Sequence, residues 1–87
     1  MKIWKFPIEN AADVHIEGCK RVLSVGLQDG KPNIWAEVDP EDKWNVVVAE
    51  IVMTGGTPPP SGRFVGTIIG IGGWAVAHVY AHGEMLQ

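Results

Sequence analysis

The sequence predicts a small, single-domain, all-β protein: an antiparallel sheet closed into a barrel or sandwich of roughly six to seven strands, with little or no helix. Three observations carry this reading. Short runs of alternating or β-branched apolar residues recur along the chain, separated by turn-forming clusters. No stretch reads convincingly as a long helix. The length, 87 residues, suits one domain spanning 1–87 and is too short for two.

The elements follow in order. Lys2 to Phe6 alternates Ile3 and Lys5 with Trp4 and Phe6, a first strand that Pro7 ends or marks as an edge. Asp13 to Glu17 sets Val14 and Ile16 on one face and His15 on the other. Arg21 to Leu27 sets Leu23, Val25 and Leu27 on one face, and Asn33 to Val38 does the same with Ile34, Ala36 and Val38. Asp29-Gly30 lies between them and tolerates the positive φ angles of a tight reversal, so the two runs form a hairpin. Asp39-Pro40-Glu41-Asp42 is a polar turn. Trp44 to Met53 is rich in valine and isoleucine and reads as a strand that is central or covered on both faces. Residues 54–62 form a flexible exposed loop with a stiff polyproline core at Pro58, Pro59 and Pro60, since proline cannot donate to a ladder. Arg63 to Ile71 and Trp74 to Tyr80 make a last hairpin around Gly72-Gly73. In its second arm Trp74, Val76, His78 and Tyr80 alternate with smaller residues, which favours strand over the rival helix. Residues 82–87 are a tail.

Composition narrows the function classes. The net charge of −3, from 7 basic and 10 acidic residues, and the absence of a basic stripe argue against duplex nucleic acid as a partner. The glycine-broken stretch from Phe64 to His78 is too short to span a bilayer, so no membrane partner is expected. The amino terminus interleaves charge with apolar residues and lacks a signal peptide's apolar run, and Cys19 is the lone cysteine; both fit a cytoplasmic protein. Cys19 is either a small buried residue or, beside Lys20 and Arg21, a reactive thiol. A core this limited with four tryptophans points to a homo-oligomer, in which some indoles anchor subunit contacts. Trp4, on an edge strand, is also placed to pair with another chain.

The chemistry-bearing residues are sparse. His78 and His82 would share a metal on a helix, but on a strand they stand about 13 Å apart, so no metal site is expected. Ser24 and Ser61 are the only serines, and neither sits in a nucleophile elbow. No catalytic residue and no cofactor is therefore expected, and the chain reads as a non-enzyme. Thr54-Gly55-Gly56-Thr57 could turn backbone N–H groups inward as an anion nest, with Arg63 as a bidentate phosphate partner, although an ordinary loop also explains it. Trp35 and Trp74 offer stacking surfaces for a base. The candidate ligand-binding set is Thr54, Gly55, Gly56, Thr57, Arg63, Trp35, Trp74 and His78, and a small nucleotide is the ligand it suggests.

The segments Met1-Lys2, Trp4-Lys5, Arg21-Val22-Leu23-Ser24-Val25, Gln28-Asp29-Gly30, Trp35-Ala36, Val38-Asp39-Pro40, Val65-Gly66-Thr67, Gly72-Gly73 and His78-Val79 resemble, in that order, a family of small uncharacterised phage and prophage proteins. The proline triplet departs from that pattern. The resemblance implies a domain of unknown function in the host cytoplasm. By class it suggests an anti-defence protein, a homo-oligomeric trap that sequesters a nucleotide-type immune signal. The alternatives are a β module binding a host or virion protein and, third, a nucleotide-processing enzyme using His78.

Overall fold

The β-branched and alternating runs form seven strands: β1 (Lys2–Pro7), β2 (Val14–Glu17), β3 (Cys19–Gln28), β4 (Lys31–Val38), β5 (Val46–Met53), β6 (Arg63–Ile71) and β7 (Trp74–His82). The computed structural model describes residues 1–71 and 74–84, with the backbone alone at 71, 74 and 75. The expected Gly72-Gly73 reversal and residues 85–87 of the expected tail lie outside the described residues. The described residues include no helix; in particular, none is long and apolar enough to cross a membrane.

The strands divide into two antiparallel sheets, ordered β1-β4-β3 and β2-β5-β7-β6. Two separate sheets make a sandwich rather than a closed barrel, and each sheet keeps two edges. Cys19, Val22, Ile34, Ala36 and Val38 of the smaller sheet face Ile16, Val47, Ala49, Ile68, Ala77, Val79 and Ala81 of the larger one, all buried. No aromatic side chain belongs to this core among the described residues; Phe6 packs at its margin. Small and β-branched side chains suffice because facing sheets lie only about 10 Å apart.

The β3–β4 hairpin forms as the sequence predicts. Asp29 and Gly30 both take positive φ, 52° and 75°, the geometry of a two-residue type I′ turn. The single face expected for Leu23, Val25 and Leu27 does not hold at Leu23. The pairing runs Cys19↔Val38, Arg21↔Glu37, Val22↔Ala36, Ser24↔Trp35 and Val25↔Ile34, so Lys20 and Leu23 are extra residues at two β-bulges. Each bulge resets the alternation. Cys19, Val22 and Val25 therefore turn inward and Leu23 is exposed; Leu27, on the same face as Val25, is exposed near the hairpin end of the strand. β5 is central, between β2 and β7. β7 is a strand with Ala77, Val79 and Ala81 buried on its inner face. It includes His82, which the sequence reading assigned to the tail.

The chain crosses between sheets at Gly18 and again through residues 39–45. The two crossings clasp each other: Gly18 N–H donates to Asn45 O (2.7 Å) and Asp39 N–H to Gly18 O (2.8 Å). Gly18 has φ +72°, and a Cβ there would collide with the Asp39 carbonyl, so only glycine fits.

Candidate functional site

Of the predicted ligand residues, four come together. After β5 the chain turns at Met53-Thr54-Gly55-Gly56, closed by Gly56 N–H donating to Met53 O (2.8 Å), while Thr54 N–H donates to Val76 O (3.1 Å). The outer face of the larger sheet places His78 between Val52 of β5 and Thr67 of β6. Thr54 Oγ1 lies 3.0 Å from His78 Nε2, and Thr67 Oγ1 lies 3.0 Å from Nδ1. A hydroxyl both donates and accepts, so this pair holds the imidazole ring in place whichever nitrogen carries the proton. Thr54, Gly55, Gly56 and His78, with Tyr80 and Pro58, line a groove of about 220 Å³. That is smaller than a typical pocket for a drug-sized ligand, about 300–1,000 Å³.

The other predicted ligand residues stand elsewhere. Thr57 is exposed and does not line the groove. Trp35 lies on the outer face of the other sheet, where a Cβ on Gly26 would meet its ring at 3.7 Å. The side chain of Trp74 lies outside the described residues. Arg63 pairs with Ala81, on the inner face, and its guanidinium is committed to Glu84: Nε to Oε1 at 2.8 Å and Nη2 to Oε2 at 2.9 Å. The same Nη2 donates to Val22 O (2.5 Å), and Val22 N–H donates to Glu84 Oε2 (2.7 Å). β3 is an edge strand, so these two peptide groups of Val22 have no ladder partner, and the Arg63–Glu84 pair satisfies both. Arg63 is thus a clamp between the sheets, with its Nε and Nη2 spent on Glu84 and Val22. In the glycine pair the Gly56 N–H is spent on Met53 O.

Glu84 is the buried partner that local sequence pattern does not reveal. Only 3 % of its side chain is exposed. Burial pushes its carboxyl pKa up, but the hydrogen bonds from Arg63 and Val22 and the guanidinium charge outweigh that and hold it below the ordinary 4.5. A single acidic residue after a strand carries no sequence signal for such a role.

Two further groups complete the chemistry. Cys19 is fully buried, and burial together with the charge of Glu84 pushes its thiol up to about 11, so it is not a reactive thiol at neutral pH. His82 Nε2 lies 3.1 Å from Glu50 Oε1, near enough for an ion pair when protonated but not aligned as a hydrogen bond. No group of three or more His, Cys, Asp or Glu residues is spaced to hold a metal ion among the described residues.

The tryptophans lie outside the core wherever their side chains are described. Trp44, expected to open β5, sits in the preceding turn and is 96 % exposed, and Trp4 is 45 % exposed. Phe64 stacks edge-to-face on Tyr80 with ring centroids 5.5 Å apart, yet is itself 52 % exposed.

Two unequal antiparallel sheets packed over an aliphatic core define a small β-sandwich protein. The chain belongs to the family described as domain of unknown function DUF7352, which matches residues 1–86. No curated protein and no solved structure matches it.

Proposed function

We propose that this chain is a non-catalytic binding protein that works as a homo-oligomer joined through the outer face of its larger sheet. The supporting observation is where the large apolar side chains lie. Phe64 and Ile69 are 52 % and 72 % exposed on that face, beside exposed Val46 and half-buried Val48, Val52 and Tyr80, while the core takes only small and β-branched residues. Large apolar side chains left exposed on one sheet face, here interspersed with Thr67, His78, Glu50 and His82, favour a contact surface. A domain this small also gains stability by association. Sedimentation equilibrium tests the reading. The expected result is a concentration-dependent oligomer that a Phe64→Ser, Ile69→Ser double variant converts to a folded monomer. A wild-type chain that stays monomeric at every concentration overturns it.

The groove beside His78 and Tyr80 favours a second, compatible reading. It opens on the same face, so a neighbouring subunit would add a wall and deepen it to ligand size. The ligand we propose is a small nucleotide-type signal, with Tyr80 as the aromatic surface and the threonine hydroxyls as polar partners. The resemblance to phage and prophage proteins supplies the setting: sequestration of an immune nucleotide in the host cytoplasm. Arg63 has no part in that binding. Calorimetry against cyclic and ADP-ribose-type nucleotides should give saturable heats, reduced by Tyr80→Ala. An absence of heat across the panel at high protein concentration removes this ligand class.

A further inference from the structure

Within the nucleotide reading above, on which this rests, we infer that the groove beside His78 recognises the uncharged heterocycle of a nucleoside and takes no hold of a phosphate. Where the chain keeps its cations decides this. The sequence has 7 lysine and arginine residues. Lys2 and Lys5 stand on β1, Lys20 and Arg21 on β3, and Lys31 on β4. These five belong to the smaller sheet, so the larger sheet stands between them and the groove on its outer face. Lys43 lines the cleft beside Trp4, before β5 begins. From Val46 to the groove residue Val52 that strand runs about 20 Å. Arg63 is the single cation in the four strands of the larger sheet, and its Nε and Nη2 are spent on Glu84 and Val22. Residues outside the described set include no lysine or arginine.

The histidines do not replace these cations. Each ring nitrogen of His78 lies 3.0 Å from a threonine hydroxyl, Thr54 on one side and Thr67 on the other, so both are occupied. His82 Nε2 lies 3.1 Å from Glu50, and His15 stands beyond β5, on β2. Glu50 itself faces Tyr80 across the strands, and the chain carries a net charge of −3; both repel a phosphate. A second copy docked through this face brings the same strands, and so adds no lysine or arginine.

A phosphate site is built from arginine, lysine or a run of free backbone N–H groups. Here the N–H groups of Thr54 and Gly56 are spent on Val76 O and Met53 O. What the groove does offer suits a heterocycle. Tyr80 supplies a ring for stacking, and Phe64 supports that ring edge-to-face at 5.5 Å. Val52, Met53 and Pro58 supply apolar walls, and the Thr54 hydroxyl is a neutral polar partner for the edge of a base.

The test is calorimetry on the full chain at about pH 8, where histidine is ordinarily neutral. Adenosine, guanosine, cytidine and uridine are compared with their monophosphates. At least one nucleoside should give saturable heats with an affinity no more than about five-fold below that of its monophosphate, and raising the salt should not weaken it. The NMR amide signals of Gly55, Gly56 and His78 should shift with that nucleoside. A larger advantage for the monophosphate, or heats from nucleotides without heats from any nucleoside, overturns this inference and leaves the nucleotide reading standing. Nucleoside binding that leaves those three amides unmoved also overturns it. Silence from nucleosides and nucleotides alike removes both readings.

Discussion

Arg63 and Glu84 show how a charged pair can be structural in a site that charge alone would mark as functional. They stand 21 residues apart in sequence, and their hydrogen bonds reach past each other to the peptide groups of Val22. Removing one partner leaves the other charge half-satisfied in a buried place. We expect Arg63→Met to cost about 3 kcal/mol in urea unfolding. The double variant Arg63→Met, Glu84→Met should not recover fully, because Val22 then loses both partners at roughly 1 kcal/mol each. Full recovery would show that the pair holds only itself. The pH dependence follows from the lowered pKa of Glu84. Its contribution is fully present above the ordinary value of 4.5 and is lost as the pH falls through the depressed folded value. The stability gap between wild type and Glu84→Gln should therefore be constant near neutrality and shrink in acid. Cys19 should resist a thiol reagent in the native protein and react at once in denaturant, since its thiol is buried and raised to about 11.

Individual strands were readable from local pattern where local pattern governs them. Asp29-Gly30 predicts its turn because both residues must take positive φ there, and the large–small alternation of β7 places Ala77, Val79 and Ala81 inward. β3 departs from its pattern because a bulge is invisible to alternation: Leu23 shares a face with Val25 and Leu27 until the register with β4 makes it the extra residue. The candidate site was legible in half. Thr54, Gly55, Gly56 and His78 meet because a loop returns onto the strand beside it. The destinations of Arg63 and Trp35 depend on which sheet and which face each strand joins, and neither residue's neighbours in sequence encode that. Two glycines separate the local from the tertiary cause by experiment. Gly18 and Gly30 have nearly equal φ, +72° and +75°, but a Cβ meets the Asp39 backbone at Gly18 and nothing within 4 Å at Gly30. Gly30→Ala should cost only the backbone strain, about 1–2 kcal/mol. Gly18→Ala should cost clearly more, because the crossing itself must shift. Equal losses would mean that the collision at Gly18 is relieved at no expense.

The molecule as a whole is fastened on one side and open on the other. Fluctuations that part the sheets should begin between β1 and β2, so amides of those strands should exchange with deuterium faster than those of β5 and β7, which are paired on both sides. Uniform protection across all seven strands would contradict this. The strand order also carries a consequence for biosynthesis. In the larger sheet β6 pairs only with β7, and β7 also completes the pairing of β5. A nascent chain emerging from the ribosome can form the β3–β4 hairpin early, but β6 has no partner within its sheet until β7 has been translated, and the Glu84 fastening follows β7. In the larger sheet β2 and β5 can pair as soon as both are made, while β6 must wait unpaired for β7, which joins it to them.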